Sequence, residues 1–103
     1  MSLAAVALQA QSEPVVRADH VRALFFVTAP SDPGLLPRLI EPVAKLGYVP
    51  SRVHASRESG DGSELTVDLR LSHVPRRTAE LVEFALRAIV GVRQVVAVVE
   101  DDA

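Results

Sequence analysis

Residues 64–72 read ELTVDLRLS, in which Leu65, Val67, Leu69 and Leu71 alternate without a break with Thr66, Asp68, Arg70 and Ser72. A period of two puts each set on its own face of a β-strand, so the segment commits the chain to a sheet with one core face and one face toward water or a partner. The core face needs a covering layer, and two helical segments supply it. Over residues 33–46, Leu35, Leu36, Leu39, Ile40, Val43 and Leu46 recur at three- and four-residue steps, and Gly47 stands where a left-handed residue closes a helix. Pro42 lies inside this segment and predicts a kink. A second helix opens at Pro75, with Leu81, Phe84, Ala85, Ala88 and Ile89 as its apolar stripe, and Gly91 closes it.

Three further strands complete the plan. VRALFFVT at 21–28 has β-favouring residues on both parities, as a central strand requires. After Gly47, Val53 and Ala55 alternate with Arg52, His54 and Ser56, which reads as a half-buried strand running into the turn cluster GDGS at 60–63. RQVVAVVE at 93–100 is the last strand. Both helical crossovers are long enough for right-handed connections, and a tight hairpin joins the second and third strands. The expected class is α+β, a ferredoxin-like βαββαβ sandwich with a four-stranded antiparallel sheet in the order 4-1-3-2 and both helices on one face. The second strand then lies at an edge. Residues 21–100 form the domain, 1–20 an N-terminal arm without a sustained period, and 101–103 an acidic tail.

Length and composition narrow the functions. A chain of 103 residues fits one compact domain. The formal net charge of −2 supplies no bulk attraction for a phosphate backbone, so no nucleic-acid partner is expected. With no cysteine, thiolate chemistry, disulfides and Cys-based zinc sites are absent. LAAVALQA at 3–10 is too short for a membrane span and no Lys or Arg precedes it, so the reading is a cytoplasmic protein that neither spans nor binds a membrane. His20, His54 and His73 lie in separate segments without ligand spacing, and no metal or cofactor is expected. Glu41, Asp68, Glu80 and Glu83 have no serine or histidine partner of the triad kind, so no catalytic residue is assigned. An RNA-binding sheet would need stacking aromatics on its third strand, which has none. An acyl-phosphate hydrolase of this fold would need an asparagine, and the chain contains none.

The junction SDPGLL at 31–36 carries the strongest functional signal. Asp32 or Ser31 can cap the helix and Pro33 suits an early helical position, but Gly34 costs about 0.5–1 kcal/mol there relative to alanine. Such a glycine reads as a plain turn or as a place where a neighbouring subunit or a small ligand approaches the backbone.

SDPGLLPRLIEPVAKLGYVPSRV at 31–53 resembles the D-x-P-G-L-L…G-Y opening of the ACT domain, a small regulatory module of amino-acid metabolism. Within that family the order and spacing are most similar to the small, regulatory subunit of acetolactate synthase. The resemblance implies a non-catalytic regulatory domain that senses an amino acid or modulates a catalytic subunit. It also implies a homodimer through the second strand, with Pro50, Arg52 and His54 at the dimer edge. Ser31, Asp32, Pro33, Gly34 and Leu35 would form the loop side of a ligand site, with Tyr48 and Val49 beginning the opposite wall. Members that bind amino acids often carry asparagine near the start of this loop and after G-Y, where this chain has Ser31 or Asp32 and Val49. The alternative is an interaction or assembly module of the same fold without an amino-acid ligand. Arg52, Arg57 and Arg70 could form a basic strip that docks an acidic surface.

Overall fold

The computed structural model describes residues 19–58 and 60–102. Most of the expected N-terminal arm therefore lies outside the described residues. The elements run β1 (His20–Pro30), α1 (Leu35–Lys45), β2 (Arg52–Glu58), β3 (Glu64–Pro75), α2 (Arg76–Arg87) and β4 (Gln94–Asp101). The four strands form one antiparallel sheet in the order β2-β3-β1-β4, which is the expected order read from the other edge. The fold is the ferredoxin-like α+β sandwich.

Alternation decides what is buried. Val21, Ala23, Phe25, Val27 and Ala29 of β1 and Leu65, Val67, Leu69 and Leu71 of β3 form the core face of the sheet. Leu35, Leu39 and Val43 of α1 and Ala79, Val82 and Leu86 of α2 join them in the same core cluster. A one-residue extra on β3 interrupts the β1–β3 register between Val21 and Ala23, and His73 takes φ +56 there. The bulge carries His73 onto His20, the rings stacking at 4.3 Å.

The end of α1 shows why Gly47 stands where it does. Its φ is +88, and the amides of Gly47 and Tyr48 donate back to the carbonyls of Ala44 (3.0 Å) and Val43 (3.2 Å), a Schellman closure. At the other end, the amide of Gly34 donates to Asp32 Oδ1 (3.1 Å) and that of Leu35 to the Asp32 carbonyl (2.9 Å). Gly34 itself has an ordinary φ of −80. What approaches it is Arg38, whose Nε donates to the Gly34 carbonyl at 2.9 Å. The two glycines should therefore respond oppositely to alanine. Gly47→Ala is expected to cost about 1–2 kcal/mol through left-handed strain. Gly34→Ala, whose Cβ meets only the flexible end of Arg38, should be neutral or stabilising by up to about 1 kcal/mol. Urea unfolding of both variants checks the pair.

Two expectations need correction. The Leu81, Phe84, Ala85, Ala88, Ile89 stripe of the second helix is not the buried one, for Phe84 is 76% exposed and Thr78, Ala79, Val82 and Leu86 face the sheet instead. Both sets recur at helical spacing, and the choice is made by the connection: Pro75 ends β3 and Arg76 begins α2, so the strand sets the helix's rotation. β2 is not half-buried either. It is exposed along nearly its whole length, because it is the edge strand and α2 packs on β4, β1 and β3.

Candidate functional site

The β1–α1 junction meets the β2–β3 hairpin because β3 pairs with β1 out to Pro30 and Glu64. The Ser31 amide donates to the Ser63 carbonyl (2.9 Å), and Ser31 Oγ and Arg57 Nε both donate to the Gly62 carbonyl, at 2.8 and 3.1 Å. Gly62 has φ +70, and a Cβ there would lie 2.8 Å from the Arg57 guanidinium. Between loop and hairpin opens a cavity of about 420 Å³ lined by Ser31, Asp32, Pro33, Leu36, Arg57 and Leu65.

Those side chains divide by chemistry. Arg57 offers a fork of donors for a carboxylate, Asp32 an anion for an ammonium, and Pro33, Leu36 and Leu65 an apolar wall. Asp32 faces the Arg38 guanidinium at 3.7 Å, which holds the carboxylate in place at the start of α1. The arrangement can take a small zwitterion with an apolar side chain.

Of the residues named from the sequence, the structure brings Ser31, Asp32 and Pro33 together in this cavity. Leu35 is a core residue, 2% exposed. Tyr48 receives a hydrogen bond from Thr78 (3.5 Å) and packs on the core, while Val49 is 88% exposed. They follow α1, which begins at the cavity and is 11 residues long, about 16 Å. Within one chain, the loop and the Gly47-Tyr48 corner are thus at opposite ends of a helix. Pro50 precedes β2, whose Arg52 and His54 are exposed on the edge strand. Sequence reasoning did not place Arg57, Leu36 and Leu65 in the site, although a hairpin closed by GDGS puts Arg57 opposite Leu65 in the register.

Two other concavities are chemically different. A groove of about 500 Å³ between α1 and α2 is floored by Pro42, Ala85, Ala88 and Ile89. Its rim charges are already matched, Lys45 with Glu41 and Arg38 with Asp32. The open sheet face holds a polar hollow of about 420 Å³ beside Arg22, Arg52 and Arg70. There Arg70 grips both oxygens of Asp68 at 2.9 Å, Arg52 lies 3.5 Å away, and Arg22 faces Glu100 at 3.6 Å. Arg52 and Arg70 of the expected basic strip are thus tied to Asp68, and Arg57 belongs to the cavity.

The Arg70 hydrogen bonds hold the Asp68 carboxyl below its ordinary value of 3.8, with the nearby charges of Arg70 and Arg52 adding to them against the cost of burial. A lowered carboxyl pKa stabilises the fold at pH values above 3.8 and ceases to do so as pH falls through the folded value. Stability is therefore expected to drop on acidification below about pH 4, and Asp68→Asn should flatten that part of the profile. Chemical unfolding at neutral pH and at about pH 3 measures it. Among the described residues, no group of three or more His, Asp or Glu is placed to hold a metal ion. No helix among them is long and apolar enough to cross a membrane.

No protein-family model and no curated protein sequence matches the chain. Solved structures do. The ACT domain from the GTP pyrophosphokinase of Chlorobium tepidum superposes with a TM-score of 0.63 at 14% identity, over 77% of this chain and 99% of that one. This chain has the ACT-domain fold. A homoserine dehydrogenase from Thiobacillus denitrificans gives a TM-score of 0.65 at 12% identity, with 84% of this chain and 19% of that one covered. The regulatory subunit of aspartate kinase from Thermus flavus gives 0.52 at 17% identity, over 81% of this chain and 52% of that subunit. The ACT fold here thus corresponds to nearly all of the first neighbour and to a fraction of the other two.

Proposed function

We propose that this chain is a non-catalytic regulatory module of the ACT type, which binds an amino acid with an apolar side chain at the β1–α1 cavity and so modulates a partner enzyme of amino-acid biosynthesis, such as acetolactate synthase. The observation that carries the reading is the joint presence of Arg57, Asp32 and an apolar wall in one cavity. The fold neighbours agree with it, since one is a regulatory subunit of aspartate kinase and another is an ACT domain. Ligand binding would act by favouring one of two states of the module and its partner.

In this reading a second copy pairs through β2. An antiparallel pairing about Ala55 sets Arg52 of each copy opposite Glu58 of the other and satisfies the backbone groups along the edge. It also brings residues 48–50 of the second copy toward the hairpin and cavity of the first, which would supply the opposite wall that one chain cannot.

A ligand that binds only the folded state raises the unfolding midpoint. Thermal unfolding against the twenty amino acids at millimolar concentration is expected to show a shift for valine, leucine or isoleucine. No shift with any of them would overturn the amino-acid reading and favour an assembly module, for which the 88% exposed Val49 already offers a contact.

A further inference from the structure

The two edges of the sheet are built differently. β2 carries Arg52, Arg57 and Glu58, charges that restrict an exposed edge to a partner strand of complementary pattern. β4 reads QVVAVVED, with an uninterrupted apolar centre from Val95 to Val99. Val96, Val98 and Val99 are 45%, 41% and 37% exposed. β4 pairs with β1 on one side, and among the described residues no strand lies along the other. An edge of this length and apolarity is a template for another strand.

We propose that β4 docks against β4 of a second copy of this chain, antiparallel about a twofold axis at Ala97. The argument is the self-complementarity of the register. With the axis at Ala97, Val96 opposes Val98, Val95 opposes Val99, Gln94 opposes Glu100 and Arg93 opposes Asp101 of the second copy. Apolar meets apolar, and each end is closed by opposite charges. Moving the axis to Val98 sets Val95 against Asp101 and Val96 against Glu100, while moving it to Val96 sets Arg93 against Val99 and Glu100 against Val92, so either shift puts charge against apolar side chains. Pairing residues of unlike parity would oppose an open-face side chain to a helix-face one.

The interface also extends the apolar part of the open face. Phe26, 41% exposed, pairs in register with Val96, and Leu24 with Val98. On docking, these four and their twofold mates form one apolar strip across the joined sheets. Arg93 and Asp101 already have partners in their own chain, Glu64 at 3.5 Å and Arg76 at 2.6 Å. All four side chains are solvent-accessible, so the contacts across the axis extend these pairs. β2 lies at the opposite edge, and β4 docking stands whether or not an amino acid binds at the cavity.

The chain has no cysteine, which makes cross-linking unambiguous. Directly opposed residues of an antiparallel pair have Cα atoms about 4.5–5.5 Å apart, within disulfide reach. Full-length Ala97→Cys should form a disulfide-linked dimer on mild oxidation, and Ala55→Cys reports the β2 edge separately. In sedimentation, Arg93→Asp or Asp101→Arg should weaken self-association roughly tenfold, and the double reversal should restore it. Restoration can come only from the crossed contact, because within the chain the reversal places a carboxylate beside Glu64 and a guanidinium beside Arg76. A monomeric protein whose Ala97→Cys variant stays a thiol would overturn the proposal, and that is the outcome if residues 1–18 of the same chain cover this edge. A double reversal that fails to restore association would overturn it too.

Discussion

Phe25→Ala is expected to lower the unfolding free energy by about 3–5 kcal/mol, the upper range for a single core truncation. Phe25 is fully buried in a central strand, opposite Leu69 on one side and Ala97 on the other. It is the one aromatic among the described buried core residues and the largest fully buried side chain among them. Small domains are stable by about 5–15 kcal/mol, and the loss is about a fifth or more of that. The neighbouring Phe26 is 41% exposed on the open face, and Phe26→Ala should cost less than about 1 kcal/mol. Urea unfolding followed by circular dichroism suits a chain without tryptophan. Equal costs for the two variants would contradict the assignment of the faces.

The second large effect is on binding. Arg57→Ala is expected to weaken the amino acid found by thermal screening by about 10- to 100-fold, since a hydrogen bond to a charged group contributes about 1.5–3 kcal/mol. The variant's own stability should change by no more than about 0.5 kcal/mol, because Arg57 is exposed and its hydrogen bond within the described residues is to the Gly62 carbonyl. Asp32→Asn tests the ammonium side of the same cavity and should weaken binding with the fold intact. Titration calorimetry separates these losses from unfolding. Unchanged affinity in Arg57→Ala would remove the β1–α1 cavity as the site.

Where periodicity is unambiguous, it is enough. The alternation of Leu65, Val67, Leu69 and Leu71 names one face of β3, and Leu35, Leu39 and Val43 name the inner face of α1. Gly47 marks the end of that helix because only a residue comfortable at positive φ can close it in this way. The second helix is harder, since its sequence contains two apolar stripes of similar quality. Phe84 and Leu81 look like core by composition but face outward, because Pro75 leads from β3 straight into the helix. Ser31 reads as a cap in the sequence, whereas its hydroxyl donates to the Gly62 carbonyl.

The sequence by itself determined the order of the elements, the strand order, the buried faces of β3 and α1, and the junction at which to look for a site, whereas β1, apolar on both parities, left the choice between Phe25 and Phe26 to the tertiary structure. Each follows from backbone geometry repeated over a few residues, or from the short connections between neighbouring elements. Only the tertiary structure decided which stripe of α2 is buried, that Arg38 rather than a ligand fills the space beside Gly34, and that Arg57 stands across the cavity from Asp32. These are meetings between side chains from separate elements or from a helix turn whose rotation is set elsewhere. Ser31 and the Gly62 carbonyl are 31 residues apart in sequence, and they touch because the β1–β3 register carries one to the other. No local pattern in the chain contains that distance.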